Sequence, residues 1–171
     1  MILFIIFVIL FLILVNAFYV AAEFAAVSVR RNMIREMAEG GSKVAAHLLR
    51  ILENTKELDR YIAACQFGIT ISSLILGAYG QVELSAYLLP LFERFGGMDS
   101  VMANSVAAIV VLVVLTVLQV ILGELMPKSL ALQFPKQAAL YTYYPMRWTL
   151  TFFAWFIDFL NGSGLLLLKL F

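Results

Sequence analysis

Gly123 and Glu124 stand side by side at the end of a long apolar run, with Pro127 and Lys128 close behind in the stretch LGELMPKSLA. Proline has no N–H, and its ring clashes with the carbonyl of the residue four before it, which here is Gly123. A helix carried through Pro127 therefore leaves the Gly123 carbonyl unpaired, a distortion that glycine tolerates. An unpaired carbonyl next to a carboxylate is an oxygen site that suits a hard cation. The same residues allow a plainer reading, in which the helix stops at the membrane face and Glu124 pairs with Lys128 at i, i+4.

Two other apolar stretches also carry oxygen donors. Asn16, Val20 and Glu23 follow i, i+4, i+7 spacing and share a helix face, next to small residues at Ala17, Ala21 and Ala25. The segment CQFGITISSLILGAYG sets Gln66, Thr70, Ser72 and Ser73 among Gly68, Gly77 and Gly80. In the third stretch Thr116, Gln119 and Gly123 share a face, with Glu124 one position round. Polar and ionisable groups inside membrane helices are costly and mark function by default. Each such group is therefore a functional candidate, and together they form a set of oxygen donors drawn from three helices. The competing explanation is packing: small residues let helices approach, and hydroxyls bond back to carbonyls one turn earlier. No His or Cys joins the set, so the ions it suits are Mg²⁺, Ca²⁺ or Na⁺ rather than softer metals.

The elements that must position these groups are membrane helices. Of the 171 residues, 63% are hydrophobic and 13% charged, far from the composition of soluble domains. The expected architecture is all-α and integral to the membrane. Three helices span it, at residues 2–26, 61–91 and 101–124, with a cytoplasmic helical stretch over 27–60 and juxtamembrane helices over 136–171. The first segment has no basic leader and is longer than a signal-peptide core, which points to a retained helix. The second is too long for one straight crossing and is interrupted by Gly77, Gly80 and Glu83. The last segment clusters Trp148, Trp155 and three tyrosines around Pro145, Arg147 and Asp158, which fits a location in the interface. NGSG at 161–164 reads as a helix stop or turn.

Residues 27–60 hold Arg30, Arg31, Arg35, Lys43, Arg50, Lys56 and Arg60, seven of the chain's twelve Lys and Arg. The positive-inside rule places that stretch in the cytoplasm, the amino terminus outside, residues 92–100 outside and GELMPKSLA near the inner face. With interfacial helices at the end, the expected arrangement, the carboxyl terminus is cytoplasmic; were the last segment to span, it would be outside. A net charge of +1 and the absence of a basic patch with interleaved aromatics argue against nucleic acid as a partner. The single Cys65 excludes an internal disulfide. There is no HExxH or GxSxG signature, and His47 falls in the cytoplasmic stretch, so an enzyme is not expected.

The segments NAFYVAAEFAAVSVRRNMIREMAEGGSKVAAHLL, QFGITISSLILGAYG and LGELMPKSLAL together resemble the transmembrane domain of the CNNM/CorC family of magnesium transporters. The resemblance covers nearly the whole chain in order. It implies a homodimer of three membrane helices per subunit, with a juxtamembrane belt, in the plasma (inner) membrane among its lipids. It implies export of Mg²⁺ driven by the Na⁺ gradient. Asn16, Ser72, Ser73, Gly123 and Glu124 match polar or metal-facing positions of the family; Thr70 and Glu23 match them less closely. Family members continue into a cytoplasmic CBS-type nucleotide-binding pair, absent from these residues, which is the expected regulatory partner. The alternative is a membrane anchor whose polar residues only pack helices and hold a dimer together.

Overall fold

A computed structural model describes residues 1–96 and 99–168. Among them the secondary structure is helical, with no strand. In chain order the elements are α1 (Ile2–Ser28), α2 (Arg31–Glu39), α3 (Lys43–Glu53), α4 (Thr55–Gly96) and α5 (Ser100–Leu118). A π-helical turn follows over Gln119–Leu125, then α6 (Met126–Gln133), α7 (Pro135–Phe152) and α8 (Ala154–Leu168). Three helical stretches among the described residues are long and apolar enough to cross a membrane: Ile2–Ser28, Thr55–Arg94 and Ser100–Gln133. Their outward residues, such as Phe4, Phe7, Leu74, Ile109 and Val113, are exposed hydrophobics, as expected of helices whose solvent is lipid.

Three expectations are corrected. The second span is not interrupted: α4 runs unbroken for 42 residues through Gly77, Gly80 and Pro90. At about 1.5 Å per residue it is roughly 60 Å long, twice the ~30 Å hydrocarbon core, so its polar start TKELDR needs no membrane. The third span does not stop at Glu124, because the helix continues through Pro127 to Gln133. NGSG does not stop α8, which runs to Leu168. Within it the Ser163 hydroxyl donates to the Phe159 carbonyl one turn back, keeping its hydrogen bond inside the helix. In the 92–100 connection, Gly97 and Met98 lie outside the described residues, as do the last three residues of the closing LLLLKLF.

Contacts gather into two units. The first comprises Met1–Ala17 and Thr70–Met126. Its core is an aliphatic seam of Ile5, Ile9 and Ile13 with Leu76, Val111 and Leu115. On α1 these residues recur every four positions and lead directly to Asn16; on α5 the buried stripe is Ala103, Ala107, Val111, Leu115 and then Gln119. Each apolar stripe thus ends in a buried amide.

The second unit comprises Phe18–Ile69 and the chain from Pro127 on. α2 and α3 form a short hairpin around Gly41, whose φ of +92° belongs to the left-handed region that favours glycine. Ser42 caps α3 by accepting from the Ala45 N–H. Ile34, Leu48 and Leu52 from the hairpin pack with Ala22, Tyr61, Ala64 and Met146. A surface pair, Arg35 to Glu53 at 2.6 Å, ties α2 to α3, and that carboxylate holds the guanidinium above even its usual high pKa. Gly68 lies against Tyr19 so closely that a Cβ there would run into the ring. Asp158, a charge inside an apolar segment, is accounted for by Arg60: Nη2 donates to Oδ2 at 3.1 Å, and Nε lies 2.9 Å from Oδ1, off-line for a second hydrogen bond.

Candidate cation site

The two apolar stripes of the first unit bring Asn16 of α1 to the π-turn. Its Nδ2 donates to the Gly123 carbonyl at 3.0 Å. This is the carbonyl that Pro127 cannot serve, and its donor comes from a residue 107 positions away. Asn16 is fully buried, and its Oδ1 accepts from both α4 serines, Ser72 at 2.9 Å and Ser73 at 3.1 Å. Gln119 Nε2 in turn donates to Ser73 Oγ at 2.9 Å.

The bonds have a direction. Gln119 gives to Ser73, Ser73 and Ser72 give to Asn16, and Asn16 gives to Gly123. The chain of donors begins at Gln119, whose own acceptor, Oε1, is buried with no hydrogen-bond partner among the described residues. An orphaned buried amide oxygen costs about 1–3 kcal/mol, so a group that can satisfy it is favoured there. A cation does so, and the site offers it amide, hydroxyl and carbonyl oxygens.

Among the described residues, Glu124 is the carboxylate at this cavity. It is exposed, and with Ser73, Gly77, Thr116 and Gln119 it lines a cavity of about 240 Å³. In an α-helix, five residues at ~100° each would put Glu124 about 140° round from Gln119. The π-turn bonds five residues back rather than four, with the Met126 N–H donating to the Ile121 carbonyl, so residues five apart come onto one strip. This is why Glu124, one position round in the α-helical reading, opens onto the same cavity as Gln119.

Of the seven candidate ligands, five belong to this cluster and its cavity: Asn16, Ser72, Ser73, Gly123 and Glu124. Thr70 is exposed, two residues before Ser72. Glu23 belongs to the second unit, where Gln66 Nε2 lies 3.5 Å from its carboxylate. Gln119 was missing from the candidate set, although its sequence signal was present as an amide four residues before Gly123 in an apolar run. The glycines divide by role. Gly123 is at the cluster, where a Cβ would stand 3.1 Å from Asn16 Nδ2 and 3.3 Å from the Gln119 amide; Gly77 has open space. Among the described residues no three of His, Cys, Asp and Glu come together.

Three membrane-length helices around a buried polar cluster indicate a membrane protein. The chain matches the model of the cyclin M transmembrane N-terminal domain, CNNM, over residues 7–171, and belongs to that family. Among curated relatives, the Bacillus subtilis protein YhdT is 40% identical over 94% of this chain and 34% of its own length. YugS of the same organism is 37% identical over 92% of this chain and 36% of its own length. A more distant relative, 26% identical over 86% of this chain and 34% of its own length, is the polyamine export protein of Haemophilus influenzae. The chain spans about a third of the length of these relatives.

Proposed function

We propose that this chain is the membrane part of a secondary transporter that exports Mg²⁺, coupled to Na⁺ entry. The observation that carries the proposal is the orphaned Gln119 Oε1, buried beside the Asn16–Ser73–Gly123 network on a residue that lines one cavity with Glu124. A hard cation would complete that arrangement by accepting the free oxygen as a ligand. Mg²⁺ gives up water reluctantly and prefers near-octahedral oxygen coordination. A site with one carboxylate and several neutral oxygens replaces part of the hydration shell without holding the ion so firmly that it cannot leave. Na⁺ fits the same neutral donors at lower charge, which supports exchange through a common site. In this reading the protein sits in the plasma (inner) membrane as a homodimer, amino terminus outside and carboxyl terminus cytoplasmic. A cytoplasmic regulatory domain of the CBS type acts on it.

Isothermal calorimetry with the purified protein in detergent tests the proposal. Mg²⁺ binding is expected to weaken about tenfold or more, or ~1.4 kcal/mol, in Glu124→Gln and in Gln119→Leu, and to be competed by Na⁺. Binding absent from the wild type, or unmoved by either change, would return these residues to the anchor reading, in which they only pack. The name of the H. influenzae relative makes spermidine the informative competitor. Displacement of Mg²⁺ by spermidine at equal concentration would replace the divalent cation by a polyamine as cargo.

A further inference from the structure

The basic hairpin and α7 build a second site that the cation cluster does not use. Arg50 at the end of α3 and Arg147 of α7 line one cleft of about 160 Å³ together with His47, Glu57 and Tyr143. Among the described residues, Glu57 is the one carboxylate lining the cleft, against two guanidinium groups. Among the described residues neither Arg50 nor Arg147 has an ion-pair partner; the pairs found are Arg35–Glu53 and Arg60–Asp158.

Arg147 also lines a larger cleft, about 720 Å³, whose other walls include Tyr144, Trp148, Phe152 and Phe153. Here the surroundings are apolar and aromatic. Tyr144, Trp148 and Phe152 recur every four residues on α7 and are 59%, 80% and 83% exposed. On α8, Trp155 and Phe159 continue the aromatic surface, their rings stacked at 6.3 Å. Rings this exposed, with indole and phenol groups at hand, belong to the headgroup level of a bilayer.

A polar cleft with excess positive charge therefore adjoins an aromatic one through a shared arginine. A soluble anion would use only the first and a neutral lipid only the second. We propose that this surface binds an anionic phospholipid, with its phosphate between Arg50 and Arg147 and its acyl chains against Trp148, Phe152 and Phe153. Guanidinium groups recognise phosphate oxygens through paired N–H donors. Basic pockets on the cytoplasmic side of membrane helices are suited to such headgroups, and the charge distribution of residues 27–60 places this surface on that side. The inference rests on the membrane assignment and its orientation, not on the identity of the transported ion.

The chain has two tryptophans, Trp148 and Trp155, so its intrinsic indole fluorescence reports this surface directly. The experiment titrates the purified full chain in detergent with dibrominated phosphatidylglycerol and, separately, dibrominated phosphatidylcholine, whose bromines quench a nearby indole. The wild type is expected to bind the glycerol lipid about fivefold or more tightly than the choline lipid. Arg50→Gln/Arg147→Gln should bring the two lipids to equal affinity, while Arg30→Gln/Arg31→Gln, on residues that line neither cleft, should keep the preference. Equal quenching by both lipids in the wild type would overturn the proposal. So would a preference that survives the Arg50/Arg147 change, or one lost equally in the Arg30/Arg31 control. Displacement of the brominated lipid's headgroup preference by millimolar inorganic phosphate or glycerol phosphate would reassign the site to a soluble anion. Circular dichroism of each variant verifies folding, and Arg147→Lys, which keeps the charge, should retain part of the preference. Mg²⁺ calorimetry on the same double variant separates the two sites: intact ion binding with lost lipid preference is the expected outcome.

Discussion

Pro127 and Pro145 each take a backbone donor out of a helix, yet the chain responds to them in different ways. Before Pro127 the helix widens into a π-turn, and the carbonyl that lost its partner, Gly123, is buried and receives Asn16 Nδ2. Around Pro145, α7 stays α-helical from Pro135 to Phe152, and the residue four before it, Tyr141, is 81% exposed. There the freed carbonyl belongs to a residue on the outer surface of the helix. Locally the two prolines look alike; what separates them is burial and a donor arriving from another helix. A proline in a membrane helix marks a site only where the carbonyl it frees is enclosed.

The sharpest way to break this contrast is Asn16→Leu. The change removes the donor to the Gly123 carbonyl and the acceptor of the Ser73 hydroxyl in a buried place, at about 1–3 kcal/mol for each group that finds no replacement. Mg²⁺ heat is expected to vanish and the detergent melting temperature to fall by several degrees. An unchanged melt would show that the network is ornamental to the fold. Next comes Gly123→Ala, whose Cβ would crowd Asn16 Nδ2 and the Gln119 amide; overpacking of about 1–3 kcal/mol is expected, with Mg²⁺ binding weakened roughly tenfold. Gly77→Ala, made in open space on the same cavity, should leave the melt where it was.

Pro127→Ala has a smaller and two-sided effect. It returns an N–H that competes with Asn16 for the Gly123 carbonyl, so the protein should gain thermal stability while Mg²⁺ affinity drops several-fold, by less than a decade. Slow hydrogen exchange at the amide this substitution introduces would demonstrate the competition, and free exchange would refute it. The smallest effect belongs to Pro145→Ala: Mg²⁺ affinity should stay within about twofold of wild type. A larger loss there would erase the distinction between the two prolines.

Much of this was visible in the residues alone. Long apolar runs call for spanning helices, and Asn16, Ser72, Ser73 and Gly123 stand out as polar or backbone oxygens within them. The Pro127–Gly123 relation followed from ring geometry, without any knowledge of Asn16. What the residues could not disclose were long-range pairings. Gln119 became a site residue only when Ser73, 46 positions away, engaged its amide nitrogen and left the oxygen behind. Asp158 stood out only as a charge in an apolar segment, and its partner Arg60 lies 98 positions away. Gly77 and Gly80 suggested an interruption of α4, but helix propensity is a weak vote beside the packing of a long apolar segment, and the helix runs through both.

The π-turn has a further consequence when viewed as a matter of insertion and deletion. A turn closed by five residues where four would serve is an α-helix with one residue too many. Deleting a single residue inside it, Leu122 for example, would restore an ordinary turn. Gln119 and Glu124 would then stand four apart and still share a strip, so the side chains of the cavity would survive the smallest length change a gene can make. What would go is the slack in the main chain. The surplus residue therefore serves the backbone oxygens of the turn, and its removal would separate their part in holding an ion from that of the side chains around them.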